Sequence, residues 1–318
     1  MEPLAPGMRR LGAIMRRLPG SSVARATPEE IARNSGASAP ELMALILLGK
    51  RPKGVRAEDR SIDGIPIRVY TPGGTPGGTS RDPSGARPLI VYFHGGGFVF
   101  GDLRGGDWIC GTVARDLDAI VVSVGYRLAP KHPFPAGLQD SYAGLVWAAR
   151  HAPELGADAG RLGVMGESAG ANLAAVVSLM ARDEKGPLIR HQAMMYPVTG
   201  ARDTESRRAN ADAFILTAAD TQKFDELYAG DPNDWRVPPL KADSFAGLPA
   251  ALIEVAGHDP LRDDGVLYAE ALEAAGVEVL LREYPAMPHG FLNFPRFARD
   301  AKPALAAVVE AQLHALRD

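Results

Sequence analysis

Between residues 89 and 284, short apolar runs recur with helical stretches between them. The runs are 89–93, 119–124, 162–165, 193–196, 251–255 and 279–284, and each is continuous rather than alternating. Continuous apolar strands suit a sheet covered on both faces, which is how parallel sheets are buried. Segments 138–150, 169–182 and 266–275 carry the helical pattern, the last stopped by Gly276. Such alternation predicts an α/β fold, a mostly parallel central sheet flanked by helices. Two alternating runs, 55–62 and 65–70, meet at Asp63-Gly64. That hairpin signal gives the sheet an antiparallel start.

Two regions break the rhythm. Residues 1–54 read as helical: Met8, Leu11, Met15 and Leu18 recur at helical spacing, and Thr27-Pro28-Glu29-Glu30 is a capped helix start. The first of these helices is expected to pack on its own protein, with a grazing membrane contact as the alternative. Residues 199–240 hold a polar stretch and a helix opened by Thr217 with Asp220 at its third position, Phe224, Leu227 and Tyr228 sharing one face. Both regions are expected to form a small helical cap over the sheet, leaving 55–198 and 241–318 as the α/β core. The glycine- and proline-rich segment 71–88 reads as a surface connection.

Composition narrows the function classes. The 318 residues are 46% hydrophobic and 23% charged, with Lys+Arg 35 against Asp+Glu 38, a net charge of −3. No basic field exists to attract nucleic acid. The single cysteine, Cys110, excludes an internal disulfide and fits a reducing cytoplasm; beside Trp108 and Ile109 it reads as buried filler. Arginines interrupt every apolar stretch of the first twenty residues, so no secretory signal is expected there. No run of ~18 apolar residues suggests a membrane span. Neither H-E-x-x-H nor paired cysteines occur, so no metal is expected.

Candidate chemistry centres on "GESAG", 166–170, where Ser168 follows a strand and opens a helix. A five-residue pattern alone does not separate a nucleophile from a serine in a glycine-rich turn. Its context does: a nucleophile's turn needs small residues two places either side, and Gly166 and Gly170 supply them. The helix N-terminus adds free N–H groups where an oxyanion would form. "VYFHGGGFVFG", 91–101, puts bare backbone directly after another strand. Phosphate cradling and a tight turn are its rival readings, but neither G-K-[ST] nor G-x-G-x-x-G is present. A base is expected after the last strand, where His289 is the only histidine so placed, five residues beyond Tyr284 in a loop. An acid is expected after the preceding strand. Of Glu254, Asp259, Asp263 and Asp264, Asp259 sits at the loop apex; Asp263 and Asp264 read as first-turn carboxylates favoured by the helix dipole.

These motifs carry a resemblance. "HGGGF", "YRLAPKHPFPA" (126–136), "GESAGANLA", "DPLRDDG" and "HGF" come in the order and at the spacing of the bacterial hormone-sensitive-lipase-like esterases, family IV, of the α/β-hydrolase fold, over nearly all of residues 55–315. The resemblance implies Ser168 as nucleophile, His289 as base and Asp259 as its orienting acid. It implies Gly96, Gly97 and Ala169 as oxyanion N–H donors, with His94 bracing the loop, and no cofactor. A small-molecule ester would be the partner, handled by a monomer or homodimer. Two positions depart from the family pattern: Glu167, where aspartate or threonine is usual, and Ala171, where glycine is frequent. Phe98, Phe100, Phe214 and Leu216 are candidates for an acyl pocket suited to short or medium chains. Amide or lactone cleavage and a non-catalytic ligand-binding role are the rival functions. Three prolines within 126–136 predict a buried turn bracing the floor beneath the triad, with a cis bond at Ala129-Pro130 or Phe134-Pro135.

Overall fold

The computed structural model describes residues 2–15, 22–35, 49–73 and 85–317. The expectations for Leu18, for residues 16–21 and 36–48 of the N-terminal cap segment, and for most of segment 71–88 fall outside these residues. Eight strands form one sheet: β1 Val55–Ile62, β2 Ile65–Pro72, β3 Arg87–Phe93, β4 Ile120–Val124, β5 Ala157–Glu167, β6 Ile189–Met195, β7 Ala250–His258 and β8 Val279–Pro288. They lie in the order β1-β2-β4-β3-β5-β6-β7-β8. The β1–β2 and β2–β4 pairs are antiparallel and every other pair is parallel.

The continuous apolar runs have the expected cause. Along β3, Leu89, Val91 and Phe93 enter one core cluster while Ile90 and Tyr92 enter the other. The first cluster is closed by the helices α4 (Ala136–Arg150), α6 (Ala169–Asp183) and α9 (Arg262–Ala274), and the second by α3 (Asp107–Leu117) and α10 (Ala301–Ala315). Cys110 is fully buried within α3. The remaining helices are α1 (Pro6–Met15), α2 (Pro28–Asn34), α5 (Ala152–Leu155), α7 (Glu205–Ala209) and α8 (Ala218–Tyr228).

Helix α1 packs on its own protein: Met8 and Leu11 are buried in the second cluster, and Ala5 N–H donates to Ala286 O at 3.0 Å. Thr27 caps α2 and Thr217 caps α8, each with a reciprocal capping box. Asp220 of the second box also accepts from Ser22 Oγ at 2.6 Å and Ala24 N–H at 3.0 Å, which joins the N-terminal segment to α8. Among the described residues no helix is long and apolar enough to cross a membrane.

The proline-rich segment differs from expectation in burial and target. Both Ala129-Pro130 and Phe134-Pro135 are cis. Arg127, Pro130, Lys131 and Pro133 are nevertheless exposed. The segment braces the glycine loop instead of a floor: Ala129 N–H donates to Phe98 O at 2.9 Å, and Tyr126 OH donates to His94 O at 2.7 Å.

Candidate active site

Because β3, β5, β7 and β8 run parallel, their C-terminal ends deliver the glycine loop, Ser168, Asp259 and His289 to one edge of the sheet. Ser168 stands between β5 and α6 with φ 53 and ψ −118, a strained conformation for a residue with a side chain. The flanking glycines are required by crowding: a Cβ on Gly166 would strike Gly170 O, and one on Gly170 would strike Phe93 O. As the first residue of α6, Ala169 has an N–H group with no partner inside the helix.

His289 Nε2 lies 2.8 Å from Ser168 Oγ, and His289 Nδ1 lies 2.7 Å from Asp259 Oδ2. Asp259 is fully buried, and its second oxygen accepts from Leu261 N–H at 2.8 Å. Strand β8 runs on to Pro288, so His289 follows it directly instead of standing five residues along a loop. Asn210 Nδ2 donates to Gly257 O and Asp259 O, both at 3.3 Å, bracing the acid's turn. Nothing in the sequence pattern singled Asn210 out.

The other carboxylates stand where the sequence places them, Asp263 and Asp264 in the first turn of α9 and Glu254 inside β7, but their partners were not legible. Asp264 is a buried anchor: Oδ1 accepts from the N–H groups of Thr199, Gly200 and Ala201, and Oδ2 pairs with Arg207. Asp263 accepts from Ser206 N–H at 2.9 Å. Glu254 is fully buried within β7, bonded to Tyr284 OH at 2.8 Å, and burial pushes its pKa up to about 8.

In the glycine loop, Gly96 has φ 116 and Gly97 φ 62. A Cβ on Gly96 would meet Phe100 O, and one on Gly97 would meet the Phe224 ring. His94 is buried, stacks on Tyr126 with ring centroids 4.3 Å apart, and lies 2.8 Å from Gly95 O through Nδ1. Burial holds its pKa below the usual histidine range, which suits a neutral brace.

A cavity of about 600 Å³ opens onto Ser168, His289 and Gly96–Gly97. Phe98 and Leu216 line it. Phe100 and Phe214 do not. Phe100 packs edge-on against Phe224, centroids 6.0 Å apart, and Phe214 lines a separate hollow with Leu4, Asn210 and His258. Walls missed in the sequence are Ile215, Phe224, Tyr228, Val198 and Val237. Phe224 and Tyr228 were visible as one apolar helix face, but their target was not. Among the described residues, no cluster of His, Cys, Asp or Glu is arranged to hold a metal.

Residues 90–293 match the model of a family described as alpha/beta hydrolase fold. The carboxylesterase NlhH of Mycobacterium tuberculosis is 44% identical over 278 residues, 82% of this chain and 84% of that protein. Ethyl acetate hydrolase of Pseudomonas putida is 36% identical over 255 residues, 78% of this chain and 77% of that one. The solved structure of a hyperthermophilic esterase from the archaeon Pyrobaculum calidifontis superposes with a TM-score of 0.84 at 32% identity, covering 99% of this chain and 100% of the other. Fold, motif order and relatives agree: the chain belongs to the α/β-hydrolase fold family, among its hormone-sensitive-lipase-like carboxylic ester hydrolases.

Proposed function

We propose that the protein hydrolyses short- to medium-chain acyl esters through an acyl-serine, with Ser168 as nucleophile, His289 as general base and Asp259 as its orienting acid. The observation that carries this reading is the unbroken row Ser168 Oγ–His289–Asp259, at 2.8 and 2.7 Å, facing an apolar cavity. His289 takes the Ser168 proton as Oγ attacks the ester carbonyl. Asp259 fixes the imidazole tautomer and stabilises the imidazolium. The N–H groups of Gly96, Gly97 and Ala169 hold the tetrahedral oxyanion; loss of one such donor typically costs ~3–4 kcal/mol. His289 returns the proton to the leaving alcohol, and water then repeats the sequence on the acyl-enzyme.

The described parts of 1–54 and the segment 199–240 act as the cap, with α8 bringing Phe224 and Tyr228 to the cavity wall. A cavity of about 600 Å³ with mainly apolar walls accommodates a medium acyl chain. The row of three residues is complete within one chain, so a monomer and a homodimer serve equally. A cytoplasmic location fits the single buried thiol. The test is a rate series on p-nitrophenyl esters of increasing acyl length, with one amide and one lactone included. Turnover that peaks at short or medium esters is expected; faster cleavage of the amide or lactone would reassign the reaction.

A further inference from the structure

Glu167, one of the two departures from the family pattern, is almost entirely buried between Gly166 and Ser168. Its Oε1 accepts from Tyr92 OH at 2.9 Å; its Oε2 accepts from Tyr196 OH at 2.8 Å and from Asn293 Nδ2. These donors come from separate pieces of the site. Tyr92 lies on β3, two residues before His94 and the glycine loop. Tyr196 follows β6, and its ring packs edge-on against His289 with centroids 5.0 Å apart. Asn293 lies four residues past His289, in the short turn Phe291–Asn293. The backbone at Glu167 also abuts the glycine loop, since a Cβ on Gly95 would sit 3.0 Å from Glu167 O.

We infer that Glu167 is a positioning residue, whose carboxylate locks the nucleophile's turn, the strand feeding the glycine loop and the turn after His289 into one frame. The inference rests on the reading of Ser168 and His289 given above. An aspartate at this position is one methylene shorter and anchored at the same strand end, so it cannot reach all three donors from the same Cα. A glutamine keeps the length but turns one acceptor oxygen into an NH₂ donor, so the buried O–H or N–H group that bonded it loses its acceptor. Loosening the frame shifts Ser168 against His289 and the loop N–H groups. A misplacement of ~1 Å costs on the order of 10² in rate.

The test uses Glu167→Gln and Glu167→Asp in the full chain, with Tyr92→Phe and Asn293→Ala removing one donor each. Readouts are kcat and KM on a p-nitrophenyl ester, the rate of fluorophosphonate attachment at Ser168, and the urea midpoint. Glu167→Gln is expected to lower kcat and the labelling rate together by ~10–100-fold, with KM within about threefold. Tyr92→Phe and Asn293→Ala should each lower kcat less, and neither should add fully to Glu167→Gln in the double variants. Should Glu167→Gln fail to fold, the single-donor variants decide alone: a fall in kcat with unchanged KM supports the frame. Unchanged kcat and labelling in folded Glu167→Gln, or in both single-donor variants, overturns it. If instead the parent neither turns over esters nor labels at Ser168, the underlying catalytic reading has failed, independently of Glu167.

Discussion

Asp264 Oδ2 lies 3.0 Å from Arg207 Nη2, so a fully buried carboxylate at the start of α9 is ion-paired to an α7 arginine that lines the cavity beside Ser168. The same carboxylate collects three consecutive N–H groups from residues 199–201. One side chain thereby fastens the segment that leaves β6 to the core. Burial pushes its pKa up to about 6, against the pull of Arg207 and those N–H groups.

Replacing Asp264 should therefore be a stability change first. Asp264→Ala leaves Arg207 and three backbone donors without an acceptor, and breaking such a buried pair costs roughly 3–5 kcal/mol. An unfolding free energy from urea titration lowered by that amount, with a correspondingly lower midpoint, is expected. An unchanged midpoint would show that water replaces the carboxylate without loss.

Asp259→Asn should behave oppositely. The side chain keeps its shape, so the urea midpoint should stay near the parent's, while the wrong imidazole tautomer lowers turnover by about 10⁴. Ser168→Ala should lower turnover by on the order of 10⁶ and abolish fluorophosphonate labelling. An Asp259→Asn enzyme with near-parent turnover would remove Asp259 from the mechanism.

Gly97 and Phe224 should be coupled. Gly97→Ala adds a Cβ at φ 62 that runs into the Phe224 ring, so both the oxyanion donor and the cavity wall are disturbed. Turnover should drop by about 10²–10³, the cost of losing one oxyanion donor. Phe224→Ala in the parent should shift the preferred acyl length upward. Combined with Gly97→Ala it should relieve the clash but not the backbone strain, giving only partial recovery. Full recovery in the double variant would assign the whole effect to the ring.

Stability should also carry the mark of Glu254. Its pKa is raised from 4.5 to about 8 by burial, and Glu254 Oε2 has no hydrogen-bond partner. The fold holds the neutral acid, while the unfolded chain releases that proton at lower pH. Between those two values the folded state binds more protons, so this group's contribution falls as pH rises through the window and stays lost above it. Glu254→Gln should be the more stable protein at about pH 9, by a few kcal/mol at ~1.4 kcal/mol per unit, and nearly equal to the parent at about pH 5. Parallel stability curves for the two proteins would rule this out.

Local signals were enough for the frame and for the three residues in line. Continuous apolar runs announce strands covered on both faces, Asp63-Gly64 announces the hairpin, and Gly166 and Gly170 announce a turn too tight for side chains; each depends only on neighbours in sequence. Because parallel strands end at one edge, motifs that follow strands must converge there, which is why Ser168, Asp259 and His289 are legible in the sequence. What the tertiary structure decided lies across long sequence separations. Phe100 and Phe214 are as apolar as Phe98, but which ring faces the cavity depends on how the 199–240 segment folds back over the glycine loop. Asp264 shares a helix start with Asp263, and only the approach of residues 199–207 turns it into a buried anchor. Glu167 was visible as a departure without a meaning, because its partners Tyr92, Tyr196 and Asn293 arrive from three other parts of the chain. A buried polar group is defined by the donors that reach it, and those are assembled only when the sheet closes.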